Sequence, residues 1–198
     1  MITGIVLAAG ASQRMRRPKA LIETEGRTFL AHAVERLREG GCHAVIVVTP
    51  GKGSEAGPSI IRIAEEADAR VAINPRLESE QIDSLRLGLE STGGECEAVV
   101  VVPVDAPLFS PDTVRRLIAE YRNGEPPVVV PTHLGERGHP TLFGRSVFEE
   151  LRRDDLPEGA RSVIEAHERD LREVAVDDPA VPHDFDTPED LEAIRGDE

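Results

Sequence analysis

Residues Ala98 to Val104 read AVVVVPV, and this almost unbroken apolar, β-branched run limits the fold more than any other feature. A strand with one wet face alternates apolar and polar residues; a strand with no polar positions is covered on both faces. Similar short runs recur at Ile2 to Ala8, Ala44 to Thr49, Arg70 to Ile73 and Pro126 to Pro131, with weaker ones at Thr141 to Phe143 and Glu173 to Val176. Helical spacing lies between them. Phe29, Leu30, Ala33, Val34 and Leu37 share one face of a helix over Thr28 to Arg38, and Ile82, Leu85 and Leu89 do the same over Gln81 to Leu89. Ser59 to Ala67 is a further candidate. Ser110-Pro111-Asp112 is an N-cap followed by proline at the first helical position, opening a helix to Arg122. Thr187-Pro188-Glu189-Asp190 repeats that signature and predicts a last helix to about Ile194. Gly51 to Gly57 reads as a surface loop. Alternating strand and helix predicts an α/β fold with a mostly parallel sheet, and 198 residues suit one domain over 1–198.

Such sheets bind ligands outside the carboxyl ends of their strands. Three strand ends carry polar residues suited to chemistry: the loop after Leu7, the segment at Asp105 and the segment at Asp186. The formal net charge of −14 disfavours nucleic acid and anionic membranes as partners. Aromatics at 3% leave few stacking platforms for single strands. Yet four of the six residues from Arg14 to Lys19 are basic, a local reversal that points to an anion site. Cys42 and Cys96 have neither CxxC nor metal-ligand spacing, so two free thiols are expected. No apolar run is long enough to span a bilayer, and no basic leader precedes the first strand. A cytoplasmic protein is the expectation.

The loop Ala8-Ala9-Gly10-Ala11-Ser12-Gln13-Arg14 follows the first strand. Small residues let the backbone turn tightly, and successive N–H groups in such a turn make an anion-binding concavity. Arg14 and Lys19 add full charges that reach phosphate oxygens. The loop lacks the GxxxxGK[ST] of a P-loop and the GxGxxG of a dinucleotide site, and Gly51-Lys52-Gly53-Ser54 does not supply the former. The plain alternative is a turn with solvated arginines. Asp105 and Asp186 are two carboxylates suited to converge on Mg2+, the ion that bridges NTP phosphates. Each also reads as local structure: Asp105 as a turn residue, and Asp186 as part of an acidic cap before Pro188.

Three segments resemble one family. Leu7, Ala8, Ala9, Gly10, Ser12, Arg14, Met15 and Lys19 match the LAAG-x-S-x-R-M…K pattern of the MobA-like NTP transferases, a group that includes the molybdenum cofactor cytidylyl- and guanylyltransferases. Arg16 stands where the family usually has glycine. Pro103-Val104-Asp105-Ala106-Pro107-Leu108 resembles the family's D-x-P motif, and Asp184-Phe185-Asp186-Thr187-Pro188-Glu189-Asp190-Leu191 its D-x-D-T-P-E-D-L segment. The resemblance implies a Rossmann-like three-layer sandwich of the nucleotide-diphospho-sugar transferase type. It also implies Mg2+ as cofactor, with Asp105 and Asp186 as its ligands. Asn74-Pro75 and Gln81 to Leu89 resemble the NP…SL..GL segment that lies against the nucleotide, with Asn74 and Ser84 as contacts; ordinary helix N-terminal polarity explains Gln81 and Ser84 equally well. Glu80-Gln81 replaces the Gly-Met pair frequent in the cytidylyl branch. Arg137-Gly138-His139-Pro140 resembles the acceptor-side segment, which makes Gly138 and His139 candidate acceptor contacts; the alternative is a turn histidine without a ligand.

The resemblance implies transfer of a nucleoside monophosphate from an NTP to a small phosphorylated acceptor of molybdopterin type, with release of pyrophosphate. Arg14, Lys19 and Asp105 are then the candidate catalytic groups. Ala9, where the guanylyl branch tends to carry glycine, favours CTP over GTP. A transient contact with a molybdoenzyme accompanies this reading. The alternative is a non-catalytic nucleotide- or pterin-binding carrier module for such an enzyme.

Overall fold

The computed structural model describes residues 1–10, 18–76, 80–185 and 190. Strand β1 (Ile2–Leu7) lies in the middle of an eight-stranded sheet. On one side it pairs in parallel with β4 (Ala44–Pro50), which pairs in parallel with β5 (Arg70–Asn74). On the other side it pairs in parallel with β6 (Ala98–Pro103). Beyond β6 the pattern changes. Strand β9 (Thr141–Gly144) runs antiparallel to both β6 and β7 (Val128–His133), and β10 (Arg172–Ala175) pairs in parallel with β7. A short strand β8 (Glu136–Arg137) folds back on β7, and β2 (Glu23–Thr24) pairs with β3 (Arg27–Thr28) as a separate hairpin.

Period-two alternation sends successive side chains to opposite faces, and both faces are covered. Ile2, Val6, Val45, Val47, Val100 and Val102 point into one core. There α1 (Phe29–Glu39), α2 (Gly57–Glu66) and α4 (Pro111–Arg122) pack. Ile5, Leu7, Ile46, Val48, Val99 and Val101 point into the other, with α3 (Gln81–Glu90), α5 (Phe148–Leu151) and α6 (Ala160–Ala166). The expected mostly parallel α/β sandwich is therefore present.

Two glycines set how closely the helices approach β1. A Cβ on Gly4 would sit 2.9 Å from Cδ1 of Leu37 in α1, and one on Gly88 in α3 would sit 2.7 Å from Cγ2 of Ile5. A side chain at either place would overpack a full core, typically at a cost of about 1–3 kcal/mol. The helix starts follow their sequence signals. Thr28 caps α1 by accepting from the Ala31 N–H at 3.2 Å, and Ser110 caps α4 by accepting from the Asp112 N–H at 3.1 Å. A capping box of Glu80 and Asp83 opens α3.

The structure adjusts several sequence expectations. Helix α2 begins at Gly57, so the glycine-rich stretch from Gly51 does lead into a helix, although without P-loop spacing. Hairpin β2–β3, strand β8 and helices α5 and α6 escape periodicity because they span two to seven residues. The predicted helix after Thr187 lies outside the described residues. Among the described residues no helix is long and apolar enough to cross a membrane. Cys42 and Cys96 are buried and form no disulfide; burial pushes the Cys42 thiol up to about 12.

Candidate active site at the carboxyl edge of the sheet

The chain leaves β1 toward β4 and later returns to add β6 on the other flank of β1. A crevice opens where connections diverge in this way. Leu7 ends β1 and Pro103 ends β6, side by side in register. The loop after β1 is anchored by the Ala8 N–H on the Val48 carbonyl at 2.8 Å, and the turn after β6 by the Val104 N–H on the Leu7 carbonyl at 3.1 Å. Lys19 opens a short 3-10 turn, Lys19–Leu21. Its ammonium lies 2.8 Å from Oδ2 of Asp105. The two side chains are 11% and 27% exposed, so this pair is screened less than a surface ion pair.

A cavity of about 160 Å3 lies beside this pair, walled by Leu7, Ala9, Gly10, Gln81, Ser84 and Pro103. The buried Ser84 Oγ accepts from Asn74 Nδ2 at 3.2 Å, while Asn74 Oδ1 accepts from the Arg76 N–H at 3.0 Å. Asn74 does not line the cavity; it holds Ser84, which does. Ala8 packs into the core instead of facing the cavity. The other expected loop contacts, Ser12 and Arg14, lie outside the described residues, as does Asp186.

A second cavity of about 620 Å3 shares the wall of Leu7, Glu80, Gln81 and Pro103 with the first. Its remaining wall is largely apolar and includes Ile82, Leu85, Phe143 and Ile164. Arg137, His139, Thr141, Glu158 and Arg161 are its polar members. The His139 Nδ1 is buried and has no hydrogen-bond partner among the described residues. Burial lowers the imidazole pKa below its ordinary value, although the carboxylates of Asp184 and Asp105 push it back up. The two arginines of this wall are engaged by acids. Arg137 holds both carboxylate oxygens of Glu168 at 2.6 and 2.9 Å and Glu173 at 2.6 Å, which raises its pKa further. Arg161 pairs with Glu165 at 3.0 Å. Gly138 lines neither cavity. It is pressed against the backbone of Val181, where a Cβ would fall 1.8 Å from the carbonyl oxygen.

The stretch Val176 to Phe185 ties these parts together. The Val176 N–H donates to the Thr132 carbonyl at 2.8 Å, and the His139 N–H to the Val181 carbonyl at 2.9 Å. Phe185 packs on Phe29, with ring centroids 5.6 Å apart, and its N–H donates to the Asp105 carbonyl at 2.8 Å. Asp178 is buried. Its Oδ2 accepts from the Ser110 N–H and the Thr113 hydroxyl, each at 2.6 Å, and its Oδ1 from the Ala180 N–H at 3.2 Å.

Among the described residues no group of three possible metal ligands gathers, and Asp105 is the one candidate ligand of the proposed pair among them. Asp105 offers a partly solvated carboxylate already facing one cation, Lys19. Oxygen donors with room for water are what Mg2+ and Mn2+ take. Sequence reasoning missed Asp178, because nothing distinguishes it from Asp177 in an acidic stretch. It also missed Phe143 and Ile164, whose apolar character signals only core.

Comparison with known proteins supplies the lineage. Nicotine blue oxidoreductase of Paenarthrobacter nicotinovorans is 33% identical over 148 residues, covering 72% of this chain and 70% of that protein. The bifunctional protein GlmU of Sorangium cellulosum is 30% identical over 149 residues, 73% of this chain but only 31% of GlmU. The crystal structure of Rv0371c from Mycobacterium tuberculosis superimposes with a TM-score of 0.83 at 29% identity, covering 98% of this chain and 96% of that one. Rv0371c has also been crystallised as a complex with manganese; that structure gives 0.79 at 28% identity, covering 98% and 97%. The model of the MobA-like NTP transferase domain matches residues 4–171, and the chain belongs to that family.

Proposed function

We propose that this protein transfers a nucleoside monophosphate, CMP by preference, from an NTP to a small phosphorylated acceptor of molybdopterin type. The observation that carries the reading is the pair of adjoining cavities with a common wall. The Lys19–Asp105 ion pair lies at the smaller one. The smaller cavity takes the nucleoside, with the phosphates running past Gly10 toward Lys19. The larger takes the acceptor, which His139 addresses. Where the two cavities adjoin, an acceptor phosphate oxygen attacks the α-phosphorus, the bond from that phosphorus to the bridging oxygen breaks, and pyrophosphate leaves.

A phosphate nucleophile is already ionised at neutral pH, so no general base is required. That suits a wall whose one imidazole is held toward its neutral form. The protein's part is positioning and charge compensation. Lys19, with Arg14, binds phosphate oxygens, and the amides after Leu7 supply further donors. Asp105 and Asp186 are the proposed ligands of a divalent cation, Mg2+ by preference, which neutralises charge on the NTP phosphates. Ala9 lines the smaller cavity, and its methyl leaves less room for a purine, which supports CTP over GTP. A transient contact with the molybdoenzyme that receives the product belongs to the same reading.

The test is pyrophosphate release from CTP, GTP, ATP and UTP with Mg2+, in the presence of molybdopterin or a sugar phosphate. Acceptor-dependent release, greatest with CTP, supports the proposal. Binding of CTP without release under any acceptor leaves a carrier module. Redox turnover of a dye substrate without an NTP would assign the chemistry named for the Paenarthrobacter relative instead.

A further inference from the structure

Asp105 sits in the loop between β6 and α4, and two charged side chains from other elements grip that loop. Arg36 of α1 reaches it with Nη1 3.4 Å from the carbonyl oxygens of both Pro107 and Phe109. Asp178 takes the Ser110 N–H and the Thr113 hydroxyl. The guanidinium thus satisfies acceptors of the loop, and the carboxylate satisfies donors at its end. Arg36 is partly buried, which lowers its pKa, while Asp178 is among the carboxylates that push it back up.

The contacts also close a ring. From Asp105 the chain runs to Ser110, crosses to Asp178 by a hydrogen bond, and runs on to Phe185. The Phe185 N–H then returns to the Asp105 carbonyl. The His133 ring pins the start of this stretch. His133 Nδ1 lies 3.2 Å from the Asp178 N–H and 3.1 Å from the Val176 carbonyl oxygen, and the tautomer decides which of the two bonds it makes. Helix capping does not explain Asp178, because Ser110 already caps α4 with its own hydroxyl. A buried carboxylate is otherwise expensive to keep.

We infer that Arg36 and Asp178 form a clamp that fixes the Asp105 carboxylate for cation binding, with Asp178 as a positioning residue for the metal-dependent step. The inference rests on the proposed role of Asp105 as a cation ligand. Residues that orient a ligand from behind typically alter metal affinity about 10–100-fold when changed. Asp178 acts through a loop, so the lower end applies.

The experiment measures Mn2+ binding to the full chain by electron paramagnetic resonance, without nucleotide, in wild type, Asp105→Asn, Asp178→Asn and Thr113→Val. Thermal unfolding, kcat and KM for CTP are measured beside it. Asp178→Asn is expected to bind Mn2+ about tenfold more weakly and to lower kcat, with KM for CTP within twofold. Thr113→Val, which removes one of the donors to Asp178, shifts both in the same direction by less, and serves alone if Asp178→Asn fails to fold. Wild-type Mn2+ affinity and kcat in both variants, with only a lower unfolding temperature, would reduce the clamp to a fold contact and overturn the inference. Loss of binding in Asp105→Asn keeps the site reading intact in that case. Undiminished binding in Asp105→Asn would instead overturn the site reading itself.

Discussion

The two halves of the sheet reach the same edge by opposite routes. In the half made of β5, β4, β1 and β6, all strands run in parallel, and the crevice is built from residues that follow strands: Ala9 and Gly10 after β1, Asp105 after β6. In the half made of β9, β7 and β10, strand β9 runs against β6, with Thr141 opposite Val101. Its beginning, not its end, lies at the crevice, so the residues that arrive there are those preceding the strand, His139 among them. One half supplies a small cavity with a salt bridge; the other contributes to the larger cavity a ring nitrogen that is unpaired among the described residues. The reversal of a single strand lets one edge present two chemically different walls.

Substitutions on each wall test that division. The largest effect is expected for Asp105→Asn, which keeps the shape and removes the charge. Turnover should fall by at least about 10²-fold, the scale of losing one preorganised electrostatic group, with unfolding temperature little changed; steady-state pyrophosphate release and a melting curve check both. Full activity in that variant would place the chemistry elsewhere. Next is Lys19→Gln. A charge-assisted hydrogen bond contributes about 1.5–3 kcal/mol, so CTP affinity should drop roughly 10–100-fold in calorimetry. Acceptor binding should stay as it was. If acceptor KM changed equally, the two cavities would not be separate subsites.

His139→Leu reads the other wall. It should raise acceptor KM about tenfold and leave CTP binding intact. It also removes a buried nitrogen that has no partner among the described residues, a group that costs about 1–3 kcal/mol, so the unfolding temperature should not fall. A variant that loses CTP affinity as well would erase the contrast between the halves. The smallest effect is expected for Ala9→Gly. Deleting one methyl changes discrimination by about 1 kcal/mol, or several-fold, in favour of GTP. Competition binding of CTP against GTP would show it, and an unchanged ratio would remove Ala9 from base selection.

The parallel half was legible in the sequence because physics writes it there plainly. AVVVVPV and AVIVVT are short, apolar and rich in β-branched residues, which favours strands covered on both faces, and Ser110-Pro111-Asp112 opens α4 as capping chemistry requires. The mixed half was not. Strand β9 was expected as a weak strand, but its direction depends on pairing with β6 and β7, which no local pattern encodes. The hairpins turn at Glu25-Gly26 and Leu134-Gly135, each with positive φ at both residues. A glycine at the second position was the available signal, diluted by a non-glycine at the first.

The candidate site divides the same way. Lys19 and Asp105, singled out by motif, stand in contact across 86 residues. Asn74 and Gly138, singled out in the same manner, support neighbouring groups and line neither of the two cavities. Motif matching selects positions that a family keeps; it does not say whether a side chain faces the ligand or the residue behind it. Asp178 shows the converse. The three hydrogen bonds its carboxylate accepts come from residues 2 to 68 positions away, a convergence only the fold creates.

The measurement that bears most directly on the account is a calorimetric titration of the wild-type protein with CTP, with and without Mg2+, and with GTP in parallel. The expected result is saturable binding of CTP that strengthens when Mg2+ is present, tighter than that of GTP. No binding of any NTP, with or without a divalent cation, would contradict it.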